Sequence, residues 1–302
     1  MKFWVGVTDK NWFEYLARLS PDEVNFWRPS GKGFSAIDIG APFLFKLHSP
    51  INKIVGGGYF IRFESLPLSV AWNAFETKNG SDNYTNLLDS INNYRNTRES
   101  DPTIGCIILN QPFFLKEDQW IDVPASFANY IVTGRIYDSN EGDGKRLWKE
   151  VSLRLDAAIG PGTIAEPPSG YGKESLIKQR LGQGAFRILV TSAYKRQCAI
   201  SGEKALPVLQ AAHIKSFRDQ GPNRVDNGLL LRSDLHILFD RGYLTVTPEY
   251  KIEVSRRIKE KFNNGKNYYL FHGKDLYTTP KLSEEKPNIE FIKWHNYYKF
   301  EK

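Results

Sequence analysis

Two of the five histidines in this 302-residue chain, His213 and His236, lie in the stretch AAHIKSFRDQGPNRVDNGLLLRSDLHILFD at residues 211–240. Asn227 and Asp240 accompany them. An imidazole, with an ordinary pKa of about 6.5, is a suitable general base at neutral pH. One divalent cation beside such a base is enough to hydrolyse a phosphodiester. The stretch therefore predicts a metal-assisted hydrolytic site, and buried structural histidines are the alternative.

The local sequence predicts the elements that position these residues. LPVLQAAHI and NGLLL have the character of two strands, separated by a loop rich in Gly, Pro, Asn and Asp. SDLHILFD follows as a helix, and we expect Ser233 to be its N-cap. His236 and Asp240 are four residues apart, so they project from one helix face as two ligands of one metal must. This order of elements can bring His213 opposite that pair.

The patterns CAISG, AAHI, DNGLLL and LHILFDRG resemble the HNH endonucleases, whose active site is a ββα-metal finger. The three named positions of that family correspond here to His213, Asn227 and His236. The resemblance implies that His213 is the general base, that Asn227 orients it, and that His236 and Asp240 bind the metal. An amide suits the orienting role because it donates and accepts hydrogen bonds without titrating.

One departure from the family concerns the residue before the base, where many members carry an acidic or histidine ligand and this chain has Ala212. Two protein ligands completed by water and DNA phosphate suit Mg²⁺, with Mn²⁺ or Ni²⁺ as possible substitutes. Cys106 and Cys198 are far apart and form no CxxC pair, so we expect neither a structural zinc nor a disulfide.

Composition fits a globular protein of about two domains, with 41% hydrophobic and 25% charged residues. No apolar run is long enough to cross a bilayer and the N-terminus lacks a signal-peptide core, so we expect a cytoplasmic protein without membrane partners. Residues 1–150 carry 16 Lys and Arg against 18 Asp and Glu, whereas residues 151–302 carry 25 against 16. The basic half favours nucleic acid as partner. The candidate contacts to the DNA backbone are Arg180, Arg187, Arg196, Lys215, Arg218 and Arg232.

The pattern along the chain predicts two domains and a linker. Residues 1–158 mix aromatic-rich strands with helices at DKNWFEYLARL, 85–96 and 145–158. The segment at 159–173 is rich in proline and glycine and is the predicted linker. Residues 174–302 form the predicted nuclease domain.

The first domain resembles the PUA-like superfamily, particularly the EVE and SRA-type domains that inspect modified bases, through the order of KFWVGVTDKNWFEYL, NFWRP and GAPFLFKLHSPINKIVGGGYFIRF. The expected fold class is α+β: a PUA-like β-barrel with helices, followed by a ββα-metal HNH domain. An extruded base needs aromatic walls and polar groups for its edge. We expect most aromatic residues to be core, with a pocket at Trp27 and Asn25, then Trp12 and Tyr59.

The resemblances together imply a modification-dependent restriction endonuclease acting on double-stranded DNA. Each HNH site cuts one strand, so cleavage of both strands suggests a homodimer. Two alternatives remain open: a nuclease of repair or mobile elements that ignores modification, and a DNA-binding module without catalytic activity.

Overall fold

The computed structural model describes residues 1–128, 130–159 and 181–302. Residues 1–128 and 130–159 belong to one unit and residues 181–302 to the other. The predicted linker at 159–173 lies outside the described residues except for Ile159, so it stays a prediction, as do the predicted domain bounds. In the part of the chain that is described, no helix is both long enough and apolar enough to cross a membrane.

A mixed sheet forms the centre of the first unit. Its strands are β1 (Lys2–Thr8), β2 (Glu23–Arg28), β3 (Pro42–Leu47), β4 (Lys53–Pro67), β5 (Thr103–Phe114), β6 (Ile121–Asp122) and β7 (Gly134–Asp138). The order across the sheet is β2-β5-β4-β3-β1-β7, with β6 paired to the start of β4. β1 and β3 are parallel and the other pairs are antiparallel. The aromatic-rich runs of the sequence therefore do form strands.

The sheet differs from the closed barrel that we predicted, because no pairing within the described residues joins β2 to β7. The free side of β2 is instead covered by the 3₁₀ turn Glu76–Asn79, where Asn25 donates to Asn79 and Lys78 pairs with Glu23. A turn that occupies the edge leaves no place there for another strand. The α+β class is confirmed, and the barrel is corrected to an open sheet.

Within residues 1–128 and 130–159, four helices surround this sheet: α1 (Lys10–Leu19), α2 (Leu68–Phe75), α3 (Tyr84–Arg95) and α4 (Gly142–Ile159). The helices predicted at DKNWFEYLARL, 85–96 and 145–158 are thus confirmed to within a few residues. Asp9 caps α1, since its side chain accepts from the amide of Trp12. α1 buries Trp12, Phe13 and Leu16 in a core rich in phenylalanine. Helical spacing of apolar residues explains both the element and its packing.

The second unit contains the ββα order expected around the histidines. Its elements are α5 (Gln183–Ala193), β8 (Leu209–His213), β9 (Gly228–Arg232), α6 (Ser233–Asp240), β10 (Leu244–Val246), β11 (Ile252–Val254), α7 (Arg257–Phe262), α8 (Lys266–Tyr269) and α9 (Ile289–Tyr298). β10 and β11 pair antiparallel on the two sides of a turn at Thr247 and Pro248, and α9 follows as the last helix. Arg232, and not Ser233, occupies the N-cap of α6, without a side-chain hydrogen bond. β9 runs directly into α6, so Ser233 is already helical.

Candidate active site

Pairing of β8 with β9 places the site residues in one region of the second unit. The two strands are antiparallel, and His213 at the end of β8 faces Gly228 at the start of β9. Asn227 is therefore adjacent to the same end of the pair. α6 follows β9 without a loop and carries His236 and Asp240. The backbone thus brings residues from positions 213 to 240 together, as the sequence predicted.

The ring of His213 is fixed on two sides. It stacks on Phe186 of α5, with centroids 3.9 Å apart and 13° between the planes. Its Nε2 lies 2.8 Å from Oδ1 of Asn223. The other end of the Asn223 amide donates to the carbonyl of Leu181 at 2.7 Å, which fixes the amide orientation. Because Oδ1 can only accept, Nε2 of neutral His213 carries the ring proton and Nδ1 is left as the basic atom.

Burial lowers the pKa of His213 from its ordinary value, and this is the largest effect on that group. The bond to Asn223 and the charge of Asp240 act in the opposite direction, whereas His236 and Arg187 lower the pKa further. The net shift favours the neutral imidazole, which is the form that can accept a proton.

Asn227 locks the loop that follows the base. Its side chain is fully buried. Oδ1 accepts from the amide of Lys215 at 2.8 Å, and Nδ2 donates to the carbonyls of Lys215 and Pro222 at 2.9 Å each. These hydrogen bonds go to the backbone rather than to His213. Asn227 therefore fixes the loop, whereas Asn223 contacts the ring directly; the orienting role of Asn227 that the resemblance implies stays a prediction.

Asn223 is a site residue that sequence reasoning missed. It lies in the loop GPNRVDN, where an asparagine is an ordinary loop residue. Its partner Leu181 is 42 positions away, so no local spacing pattern could have indicated the contact.

His236 and Asp240 form the predicted pair on α6, with Nε2 of His236 3.2 Å from Oδ2 of Asp240. Two ligands on adjacent corners of an octahedral Mg²⁺ site are about 3.0 Å apart, so the pair fits one cation. Nδ1 of His236 lies 2.8 Å from Oε1 of Gln210. When Nδ1–H donates to that oxygen, the Nε2 lone pair faces the carboxylate, an arrangement that a shared cation stabilises.

The protein offers few further ligands near this pair. Ala212 is fully buried in the core, and its methyl side chain has no atom that could bind a metal. Within residues 1–128, 130–159 and 181–302, no three His, Cys, Asp or Glu side chains are grouped as metal ligands. Cys106 and Cys198 are buried free thiols. A cation at His236 and Asp240 would therefore complete its coordination with water or substrate oxygen atoms.

A cavity of about 500 Å³ opens beside these residues, and both His213 and Asp240 line it. Arg218 and Lys299 line the same cavity and give it positive charge. The predicted base and one predicted ligand therefore share one accessible space.

The six predicted contacts to the DNA backbone lie in different surroundings. Arg187 and Arg218 are exposed, and Lys215 lies over the ring of Trp294, 5.5 Å from its centroid. Arg232 already holds Asp234 through two hydrogen bonds of 2.7 and 2.9 Å. Arg196 is half-buried, and Arg180 lies outside the described residues.

A second cavity, of about 420 Å³, lies in the first unit. Trp12 and Trp27 line it, as predicted. Asn25 and Tyr59 do not line it: Asn25 is fully buried, and Tyr59 is half-buried elsewhere on β4. The remaining lining includes residues that sequence reasoning missed, both aromatic and polar: Trp4, Phe26, Phe34, Asp9, Arg28 and His48.

Comparison with solved structures gives low similarity throughout. ASCH from Zymomonas mobilis is 14% identical, with a TM-score of 0.32 over 49% of this chain and 94% of its own. A mutant of the same protein gives 13% identity and a TM-score of 0.33, over 51% and 99%. The modification-dependent TagI restriction endonuclease is 14% identical, with a TM-score of 0.27 over 91% of this chain and 74% of its own. No curated protein matches the chain.

One family model matches the region of the site. It describes the HNH endonucleases and covers residues 198–247. This range contains β8, β9 and α6 together with His213, Asn227, His236 and Asp240. Residues 198–247 of this chain therefore match the HNH endonuclease family model, and the candidate site lies within the matched region.

Proposed function

We propose that this chain is a metal-dependent endodeoxyribonuclease that the first unit directs to DNA carrying modified bases. The main support for a nuclease is the cavity that two site residues share. His213, whose lowered pKa favours the neutral imidazole, and the carboxylate of Asp240 both line this cavity. Such a space admits a phosphodiester between a base and a cation.

In this reaction His213 accepts a proton at Nδ1 from the water that attacks phosphorus. The hydrogen bond from Nε2–H to Asn223 and the stack on Phe186 keep the ring in place while its charge changes. Asn227 binds the backbone of Lys215, so the adjoining cavity wall at Ser216 and Phe217 does not collapse onto the base. His236 and Asp240 would hold a divalent cation. Mg²⁺ is the metal we propose, and Mn²⁺ or Ni²⁺ could replace it. When bound, that cation supplies positive charge to the phosphate and the leaving oxygen.

The duplex backbone would be held by the positive side chains around the cavity. Of the predicted contacts, Arg218 lines the cavity together with Lys299, and Arg187 lies near enough to His213 for its charge to lower the pKa of that ring. Contacts of this kind give affinity that weakens steeply with salt and carries little sequence preference. Selectivity for a target would then have to come from another part of the chain.

The aromatic cavity of the first unit is the candidate source of that selectivity. Trp12 and Trp27 offer ring faces for an extruded base, and Asp9 and His48 offer polar atoms for its edge. The described residues up to position 150 have little net charge, so affinity there would depend on the pocket more than on electrostatics. We propose that this pocket receives a modified base. Cleavage of both strands would use two copies of the site in a homodimer.

The experiment compares cleavage of one duplex sequence in unmodified, methylated, hydroxymethylated, glucosylated and phosphorothioated form, with Mg²⁺ or Mn²⁺. Faster cutting of one modified form supports the proposal. Equal cutting of all forms would favour a nuclease of repair or mobile elements, and no cutting with any metal would favour a DNA-binding module.

A variant identifies the base in the same assay. His213→Ala should reduce the cleavage rate by about 10²- to 10⁴-fold while DNA binding persists, because only the proton acceptor is lost. His272→Ala, which changes an exposed histidine of the same unit, is the control. Full activity of His213→Ala would refute the assignment.

A further inference from the structure

The 3₁₀ turn Glu76–Asn79 ends at an asparagine that is fully buried behind the aromatic cavity. We propose that Asn79 is a positioning residue that fixes two tryptophan walls of this cavity before DNA arrives. The inference rests on the proposed function, because the walls matter only if the cavity receives a base. Asn79 does not line the cavity itself, and no pattern in the sequence pointed to it.

One backbone oxygen joins the two walls. The carbonyl of Asn79 accepts a hydrogen bond from Nε1 of Trp12 and another from Nε1 of Trp27, each 3.1 Å long. A carbonyl oxygen has two lone pairs and can hold both donors at once. Trp12 comes from α1 and Trp27 from β2, so this atom sets the relative placement of rings from two separate elements.

The Asn79 side chain in turn holds that carbonyl in position. Nδ2 donates to the carbonyl of Glu76 at 2.8 Å and approaches the carbonyl of Ala71 at 3.4 Å. Oδ1 accepts from Nδ2 of Asn25 at 2.8 Å. Asn25, which we predicted to belong to the pocket itself, therefore acts one layer behind it. The Asn79 side chain is removed from water, so loss of a partner there leaves an unsatisfied polar group.

The residue after Asn79 fits the same arrangement. Gly80 has φ of +79°, a conformation that L side chains rarely adopt. A Cβ atom at this position would also collide with the indole ring of Trp12. The indole therefore packs directly on the backbone of the turn, and it also makes T-shaped contacts with Phe26 and Phe45, with ring centroids 5.3 and 5.1 Å away.

These contacts imply a pocket whose walls do not have to be ordered when a base enters. Side chains that are fixed before binding lose less conformational entropy on binding, which increases affinity. Loss of the Asn79 side-chain contacts should therefore lower the affinity of the pocket for the base without changing the chemistry at His213. The expected signature is a higher Kd for modified DNA at a nearly constant maximal cleavage rate.

The test uses the full chain with Asn79→Ala, which removes both ends of the amide. Asn83→Ala is the matched control, because Asn83 caps α3 nearby but makes no contact with either tryptophan. Hydrogen exchange of the two indole Nε1–H groups is measured by NMR without DNA. Binding is then measured with a duplex that carries the modification preferred by the wild-type protein, and with its unmodified copy.

We expect Asn79→Ala to speed indole exchange at Trp12 and Trp27 at least tenfold and to raise the Kd for modified DNA at least tenfold. The Kd for unmodified DNA and the maximal cleavage rate should stay within about threefold of wild type, and Asn83→Ala should match wild type in every measurement. Slow exchange or an unchanged Kd in Asn79→Ala would overturn the inference.

A second variant and a comparison of wild-type binding separate failure of this inference from failure of the proposed function. If circular dichroism shows that Asn79→Ala is unfolded, Asn79→Asp replaces it: this variant keeps the acceptor for Asn25 and loses both donated bonds, and wild-type behaviour in it overturns the inference. If the wild-type protein has no preference for modified DNA, the proposed function fails. Indole exchange still tells whether Asn79 holds the two rings.

Discussion

Nε2 of His213 lies 2.8 Å from Oδ1 of Asn223, and the same amide donates from its other end to the carbonyl of Leu181. The bond to Leu181 determines which atom of the Asn223 amide faces His213. Because the amide cannot turn over without losing Leu181, the atom beside His213 is an acceptor, and the ring proton resides on Nε2. The proton acceptor of the proposed reaction is therefore Nδ1.

Asn223→Leu should test this relationship, since leucine has similar volume and no acceptor. We expect the single-turnover cleavage rate to fall by about 10- to 100-fold, with DNA affinity nearly unchanged. The ¹⁵N resonances of His213 should show a loss of the Nε2–H tautomer as the predominant form. Asn296→Leu, at a half-buried asparagine that does not contact His213, is the control. A wild-type rate in Asn223→Leu would contradict the assigned role.

The pair on α6 predicts where a metal binds. Asp240→Asn and His236→Ala should each weaken Mn²⁺ binding by about tenfold or more, because each removes one of two protein ligands. Titration calorimetry of the full chain measures this directly. Asp234→Asn is a matched control, since Asp234 lies on the same helix but is engaged with Arg232. Equal Mn²⁺ affinity in Asp240→Asn and wild type would place the metal elsewhere.

Asn227→Asp tests the loop lock. The substitution keeps the shape, loses two donated hydrogen bonds and places a charge where the side chain is fully buried. We expect the free energy of unfolding to fall by about 1–3 kcal/mol or more, measured by urea denaturation. Asn264→Asp is the comparison, because Asn264 is exposed and its bond to the amide of Gly265 needs only an acceptor. Similar stability loss in both variants would argue against the lock.

His295 predicts a pH dependence of stability. Burial lowers its pKa to about 4, against 6.5 for an exposed imidazole. The folded state thus favours the neutral ring, so its stabilising contribution is fully present above pH 6.5 and is lost as the pH falls towards 4. We expect wild-type protein to lose more unfolding free energy than His295→Gln between pH 7 and pH 4.5 in urea titrations. Parallel curves for the two proteins would show that this ring does not titrate as described.

The sequence was informative about the site because the site is local. β8, β9 and α6 follow one another in the chain. The sequence spacing was therefore enough to predict that the four site residues lie close together: His213, Asn227, His236 and Asp240. Strand alternation and helical spacing are properties of neighbouring residues, and they survive in the folded chain.

The rest depended on contacts between distant positions. Asn223 meets Leu181, and Asn79 meets Trp12 and Trp27, across separations that no periodic pattern records. The place of Tyr59 was missed because the register of β4 against β5 shifts between Gly57 and Tyr59. Such an irregularity redirects side chains without leaving a clear signature in the sequence.

The contact between Asn223 and Leu181 also limits how the chain can be dissected. A recombinant fragment that starts after position 181 would still contain every residue of the matched family range. It would nevertheless lack the carbonyl that anchors the Asn223 amide, and that amide could then rotate and offer a donor to the imidazole instead. A minimal catalytic fragment must therefore include Leu181.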